Sequence, residues 1–150
     1  MIDQHKNFYN LEDLEILAKN LIKELKKGSI VCLKGELGAG KTTLARFIIN
    51  SFYDLKKIKK PTSIQSPSFP ILLIYDLSDV EIFHYDLYRI KTSSELDQLN
   101  IEENINNSIT LIEWPEIIFE KDFNYKFYLI ELIILNENQR IIKIKMILIR

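Results

Sequence analysis

The chain has 150 residues, 47% of them hydrophobic and 27% charged, with a formal net charge of −1. This is the make-up of a folded domain and excludes a wholly disordered chain, and the near-zero charge excludes the global basic field of a free-standing nucleic-acid binder. A single cysteine, Cys32, excludes an internal disulfide and a multi-cysteine metal cluster, and neither His5 nor His84 has a Cys or His partner at ligand spacing.

Residues 11–27 predict an amphipathic helix, because Leu11, Leu14, Leu17, Ala18, Leu21, Ile22 and Leu25 recur at spacings of three and four. Asn10 is its expected cap, Asp13 suits its first turn, and Gly28 is its expected left-handed stop. IVCLK at 30–34 predicts a short buried strand, with Cys32 as a small core residue. A glycine loop follows, then a second helix over about 41–53 with Leu44, Phe47, Ile48 and Phe52 on one face. Residues 54–70 read as loop, where LKKIKK leads into PTSIQSPSFP with Pro61, Pro67 and Pro70 as punctuation. Strands are expected at about 71–76, 80–86 and 109–113. Between the last two, Thr92 and Glu95 form a capping box for one short helix, and another is expected near 101–106. Two apolar runs, about 125–135 and 140–149, flank the polar turn NENQ and predict a β-hairpin.

The order of elements gives an α/β class: a single domain over residues 1–150, with a central mixed β-sheet flanked by helices and a C-terminal β-hairpin. The opening MIDQHKNFYN has no basic stretch leading into an apolar run, so no secretory signal is expected. Glu131, Asn136, Glu137, Arg140, Lys143 and Lys145 interrupt the apolar C-terminal stretch, short of the ~18 residues a spanning helix requires. The expected location is the cytoplasm, with no membrane partner and no DNA partner.

Three of the four glycines, Gly35, Gly38 and Gly40, fall within GELGAGKTT. The segment fits the phosphate-loop pattern G-x-x-x-x-G-K-[ST] from Gly35 to Thr42, with a predicted strand before it and a predicted helix after it. Backbone N–H groups of such a loop turn inward onto phosphate oxygens at a positive helix end, and a side chain at the tight positions would obstruct the wrap. The expected nucleotide-binding residues are therefore Glu36, Leu37, Gly38, Ala39, Gly40, Lys41, Thr42 and Thr43. Lys41 is expected on the β- and γ-phosphates and the Thr42 hydroxyl on Mg²⁺, so the fold is of P-loop NTPase type.

Such a loop needs a carboxylate near the metal, and two strand-like runs end in one: ITLIE at Glu113 and EIFHYD at Asp86. Glu113 is assigned to the metal beside Thr42 because its run is the less broken apolar one, and Asp86 to the attacking water; the reverse pairing stays open. Ser66 and Ser68, between prolines, are candidates for a loop that senses the γ-phosphate. Trp114 suits either the core or a partner surface. Lys56, Lys57, Lys59 and Lys60 suit a solvated face, or contact with RNA or an acidic partner. His84, alternating with apolar neighbours, reads as structural.

GELGAGKTT, SPSF at 66–69, HYDLYRI at 84–90 and LIEWPE at 111–116, in that order, closely resemble the TsaE (YjeE) family, ATPases of bacterial tRNA threonylcarbamoyladenosine synthesis. The resemblance implies an ATP- and Mg²⁺-dependent accessory ATPase acting with TsaD and TsaB, with tRNA reached only through that assembly and hydrolysis weak without the partners. By motif it implies Lys41 and Thr42 on phosphate and magnesium, Asp86 as the acid of the family's H-[FY]-D-L-Y-R segment, and Glu113 with Trp114 as its E-W pair. Ser68 stands where the family has threonine, keeping the hydroxyl but losing the methyl that restrains the rotamer, and Glu36 stands where aspartate is commoner. The alternative enzyme, a P-loop kinase for a small molecule, is disfavoured by a short supply of arginines: Arg46, Arg89, Arg140 and Arg150. A guanine-nucleotide switch is disfavoured by the missing N-K-x-D motif.

Overall fold

A computed structural model describes residues 8–148; His5, Arg150 and position 149 of the last predicted strand lie outside the described residues. Helix α1 spans Leu11–Leu21 and opens on the expected cap. The Asn10 side chain accepts from the Asp13 N–H at 2.9 Å, while the Asp13 carboxylate accepts from the Asn10 N–H at 3.0 Å. The helix ends earlier than the periodicity predicts. The N–H groups of Lys23 and Glu24 donate to carbonyls only three residues back, a tighter turn. Ile22 and Leu25 are still buried, from turn backbone instead of helix. Gly28, at φ +89°, is therefore not a helix stop; its N–H donates to Ser108 O at 2.9 Å and starts the next strand. The short connection forces this, since the chain must turn back within a few residues to enter the sheet.

That strand, β1 (Ile30–Lys34), delivers the chain to the glycine loop, and α2 (Lys41–Lys56) carries it away, longer than the expected 41–53. The remaining elements are β2 (Leu72–Asp76), β3 (Glu81–Asp86), α3 (Ser93–Asp97), α4 (Ile101–Ile105), β4 (Ser108–Glu113), α5 (Glu116–Phe119), β5 (Lys126–Asn136) and β6 (Gln139–Leu148). The Thr92–Glu95 capping box opens α3 as predicted.

The six strands form one mixed sheet in the order β2-β3-β4-β1-β5-β6. The inner four run parallel, and the outer strands β2 and β6 pair antiparallel with β3 and β5. Alternation along β1 divides the interior: Val31 and Leu33 join α1 and α2 in one apolar layer, while Ile30 and Cys32 join Tyr85, Leu96, Ile101, Ile118 and Phe127 in the other. Helices thus cover both faces, and the carboxyl ends of the central parallel strands open into the crevice where such sheets bind ligands.

Candidate functional site

Three strand ends meet there. The register sets Asp86, last residue of β3, opposite Glu113, last residue of β4, and Leu33 of β1 on the far side of Glu113. Period-two alternation turns Ile82, His84 and Asp86 to the face occupied by α2, along with Ile109, Leu111 and Glu113. The parallel pairing of β3, β4 and β1 therefore gathers both predicted acids against the N-terminus of α2.

The loop between β1 and α2 is shaped by its glycines. Gly40 caps α2 at φ 111° and Gly38 lies at φ 82°, both left-handed positions that a side chain would strain. A Cβ on Gly35 would stand 2.5 Å from Leu132 O, so only glycine lets the loop leave the sheet against β5. Two donors grip the loop from outside: the Tyr9 hydroxyl on Ala39 O at 2.6 Å and the Arg140 guanidinium on Gly38 O at 2.7 Å. Because a trans peptide sets N–H opposite C=O, the bond from Tyr9 to Ala39 O turns the Gly40 N–H away from Tyr9.

Lys41 is buried, its ammonium donating to Gly35 O at 2.6 Å and Glu36 O at 2.8 Å. The same ammonium lies 4.1 Å from the ring centre of Trp114, which in turn packs on Tyr88. Trp114 is half-buried, and its φ of 56° folds the chain sharply out of β4. Burial lowers the Lys41 pKa from the ordinary lysine value, opposed by the carboxylates of Glu113, Asp86, Glu116 and Glu36.

The Thr42 hydroxyl donates to Glu113 Oε1 at 2.7 Å, and His84 Nε2 lies 2.7 Å from Glu113 Oε2. Glu113 and His84 are both buried. Asp86 is buried as well, but its partners differ: Ser68 Oγ donates to Oδ2 at 3.0 Å and the Tyr88 N–H to Oδ1 at 2.9 Å. The Ser66 and Ser68 hydroxyls lie 2.7 Å apart. Arg46 holds Ile64 O at one end of the proline-punctuated loop, and Arg89 holds Phe69 O at the other. Lys41, Thr42, Ser68, Asp86, Glu113 and Trp114 line one cavity of about 230 Å³.

The remaining predicted residues fall differently. Leu37 is 84% exposed at the lip of the loop and Ala39 is buried beneath it. The lysine cluster lies at the other end of α2, where Lys56 pairs with Asp79 and Lys60 with Asp54. Cys32 is buried in the sheet, and burial raises its thiol pKa. His84, Tyr9 and Arg140 were not expected at the site from sequence. His84 opens the HYDLYRI motif, which marks its neighbourhood, but nothing in the local sequence sets Tyr9 or Arg140 apart. Tyr9 and Arg140 also line a second cavity of about 440 Å³, with Asn10, Leu11 and Asn138, which shares Gly38, Gly40 and Thr43 with the first.

Among the described residues, no three His, Cys, Asp or Glu side chains gather as a metal cage, and no helix is long and apolar enough to cross a membrane. A family model described as threonylcarbamoyl adenosine biosynthesis protein TsaE matches residues 8–142. The tRNA threonylcarbamoyladenosine biosynthesis protein TsaE of Rickettsia felis is 42% identical over 135 residues, covering 90% of this chain and 75% of the relative. The protein of that name from Aquifex aeolicus is 32% identical over 133 residues, 89% of each chain. The crystal structure of Bacillus subtilis YdiB superposes with a TM-score of 0.69 at 26% identity, covering 96% of this chain and 86% of that one.

Proposed function

From the premise that this chain belongs to the TsaE family, proteins of tRNA threonylcarbamoyladenosine biosynthesis, we propose that it is a Mg²⁺-dependent ATPase. Its activity serves threonylcarbamoylation of the adenosine beside the anticodon, in the cytoplasm and in concert with TsaD and TsaB. The observation that carries the ATPase reading is the Thr42–Glu113 hydrogen bond, which joins the phosphate loop to a strand-end carboxylate.

The donor set fits magnesium. A hydroxyl and a carboxylate are hard oxygen ligands, the kind that magnesium takes alongside phosphate and water oxygens. Thr42 and Glu113 would hold it, and when bound it neutralises charge building on the β- and γ-phosphate oxygens. Lys41 exchanges two loop carbonyls for phosphate oxygens. The N–H groups of Gly40, Lys41, Thr42 and Thr43 at the start of α2 take the remaining phosphate oxygens, while the Ala39 N–H stays on Glu36 O within the loop. Asp86, within the same cavity but off the Thr42–Glu113 pair, orients the water that attacks the γ-phosphorus as the bridging oxygen leaves with ADP. Ser68 ties that acid to the proline-punctuated loop, so the placing of residues 64–71 and the alignment of the water are coupled. The larger cavity beside Tyr9 and Arg140 takes the base and sugar.

The test is release of inorganic phosphate from MgATP by the chain alone, then with TsaD, TsaB and tRNA. Stimulation by the partners is the expected result. Transfer of the γ-phosphoryl group to a small acceptor, with no release, would instead establish a kinase. Lys41→Ala is expected to lose MgATP binding in an equilibrium assay, and wild-type affinity in that variant would overturn the nucleotide reading.

A further inference from the structure

We propose that His84 is a positioning residue, donating from Nε2–H to Glu113 and leaving that carboxylate a single oxygen with which to face the phosphate loop. This inference rests on the reading of Thr42 and Glu113 as the magnesium pair. His84 Nε2 lies 2.7 Å from Glu113 Oε2, and the other oxygen, Oε1, takes the Thr42 hydroxyl at 2.7 Å. His84 and Glu113 are 0% and 1% exposed, so water does not compete for either contact.

The orphaned ring nitrogen fixes the sense of the bond. His84 Nδ1 is buried and has no hydrogen-bond partner. A proton there would be a buried donor without an acceptor, and it would leave two lone-pair atoms, Nε2 and Oε2, facing each other at 2.7 Å. A proton on Nε2 satisfies the carboxylate and leaves only a bare acceptor unpaired. The ring therefore carries its proton on Nε2, and the bond to Oε2 stops the carboxylate from swinging. His84 sits mid-strand on β3, paired with Leu73 on one side and Leu111 on the other, so its ring is carried by a rigid support. Carboxylates that bind metals are commonly oriented in this way by an outer hydrogen bond, and loss of such a bond costs ~10–100-fold in metal affinity or activity.

Two measurements test it. In the wild-type chain without nucleotide, ¹⁵N–¹H correlation of the histidine ring should show the His84 proton on Nε2; a proton on Nδ1 overturns the proposal whatever the enzyme does. The second is the Mg²⁺ dependence of ATP binding, read from Trp114 fluorescence. His84→Phe, which fills the space without a donor, is expected to raise the Mg²⁺ needed for half-maximal tightening roughly tenfold. ATP affinity in EDTA should be unchanged. His84→Gln, whose amide N–H can stand in for Nε2–H, should restore the Mg²⁺ requirement to near the wild-type value. Equal loss of affinity with and without Mg²⁺, or no rescue by glutamine, would reduce His84 to a packing residue. Absence of any Mg²⁺ effect in the wild type would instead sink the magnesium reading, with the ring spectrum still deciding the bond.

Discussion

Gly35 shows how much of the site hangs on one missing side chain. The carbonyl of Leu132 lies 2.5 Å from where a Cβ would stand, and Ala39 closes the other side at 3.1 Å. Gly35→Ala must push β5 backbone away or twist the loop, so a loss of about 1–3 kcal/mol is expected, with weaker MgATP binding. A calorimetric melting temperature equal to wild type would show that the contact is soft. Ser68 makes a second case. Removal of its hydroxyl takes a donor from the Asp86 carboxylate, so Ser68→Ala should slow phosphate release roughly tenfold with little change in ATP affinity. Ser68→Thr should keep the rate, since the hydroxyl survives and the added methyl restrains it. Unaltered turnover in Ser68→Ala would detach this loop from the chemistry. Lys41, Thr42, Asp86 and Glu113 were legible in the sequence because local pattern places them, at a loop motif or at the end of an apolar run. His84, Tyr9 and Arg140 were not, because what matters about each is a partner 29, 30 or 102 residues away. Alternation with apolar neighbours marked His84 as facing inward, but it said nothing of Glu113 on the next strand.

At the scale of elements, the cap of α1 has a double duty. Asn10 closes the helix N-terminus, and with Leu11 and Leu14 it also lines the cavity assigned to the base. Asn10→Ala should cost about 1 kcal/mol in urea unfolding and weaken ATP binding with it. Stability lost with affinity intact would separate the helix start from the ligand. The cap itself could be read from sequence, since Asn10 and Asp13 satisfy each other within one turn. The end of the helix could not. Leu25 is buried either way, so hydrophobic periodicity runs on past the point where the backbone has left the helix. The four-residue α5, which follows Pro115, was also missed, being too short to show a period. Strand existence was clear, but the order β2-β3-β4-β1-β5-β6 was not. Nothing in IVCLK names β4 and β5 as its neighbours, although the β4 pairing is what brings Glu113 to Thr42.

For the molecule as a whole, buried phenols set its response to alkali. Burial pushes Tyr85 up to about 12, with Asn104 pulling the other way, and raises Tyr9, Tyr53, Tyr75 and Tyr128 from 10.0 as well. Well below pH 10 these groups are neutral whether the chain is folded or not. Between about 10 and 12 the unfolded chain loses the Tyr85 proton first, so stability falls as pH rises. Denaturant titrations across that range should show the decline, and Tyr85→Phe should make it shallower; an equal slope in both proteins would argue that the phenol ionises in place. The grip of Tyr9 and Arg140 on the glycine loop has a consequence in time. A chain growing from its N-terminus holds Gly35–Thr42 long before it holds β4, β5 or Arg140, so on the ribosome the loop is present but has neither its flanking strands nor its outer brace. On the proposed function, nucleotide capture would then be one of the last properties the nascent chain acquires, and ribosome-bound chains stalled ahead of the hairpin should bind ATP more weakly than the released protein in an equilibrium assay.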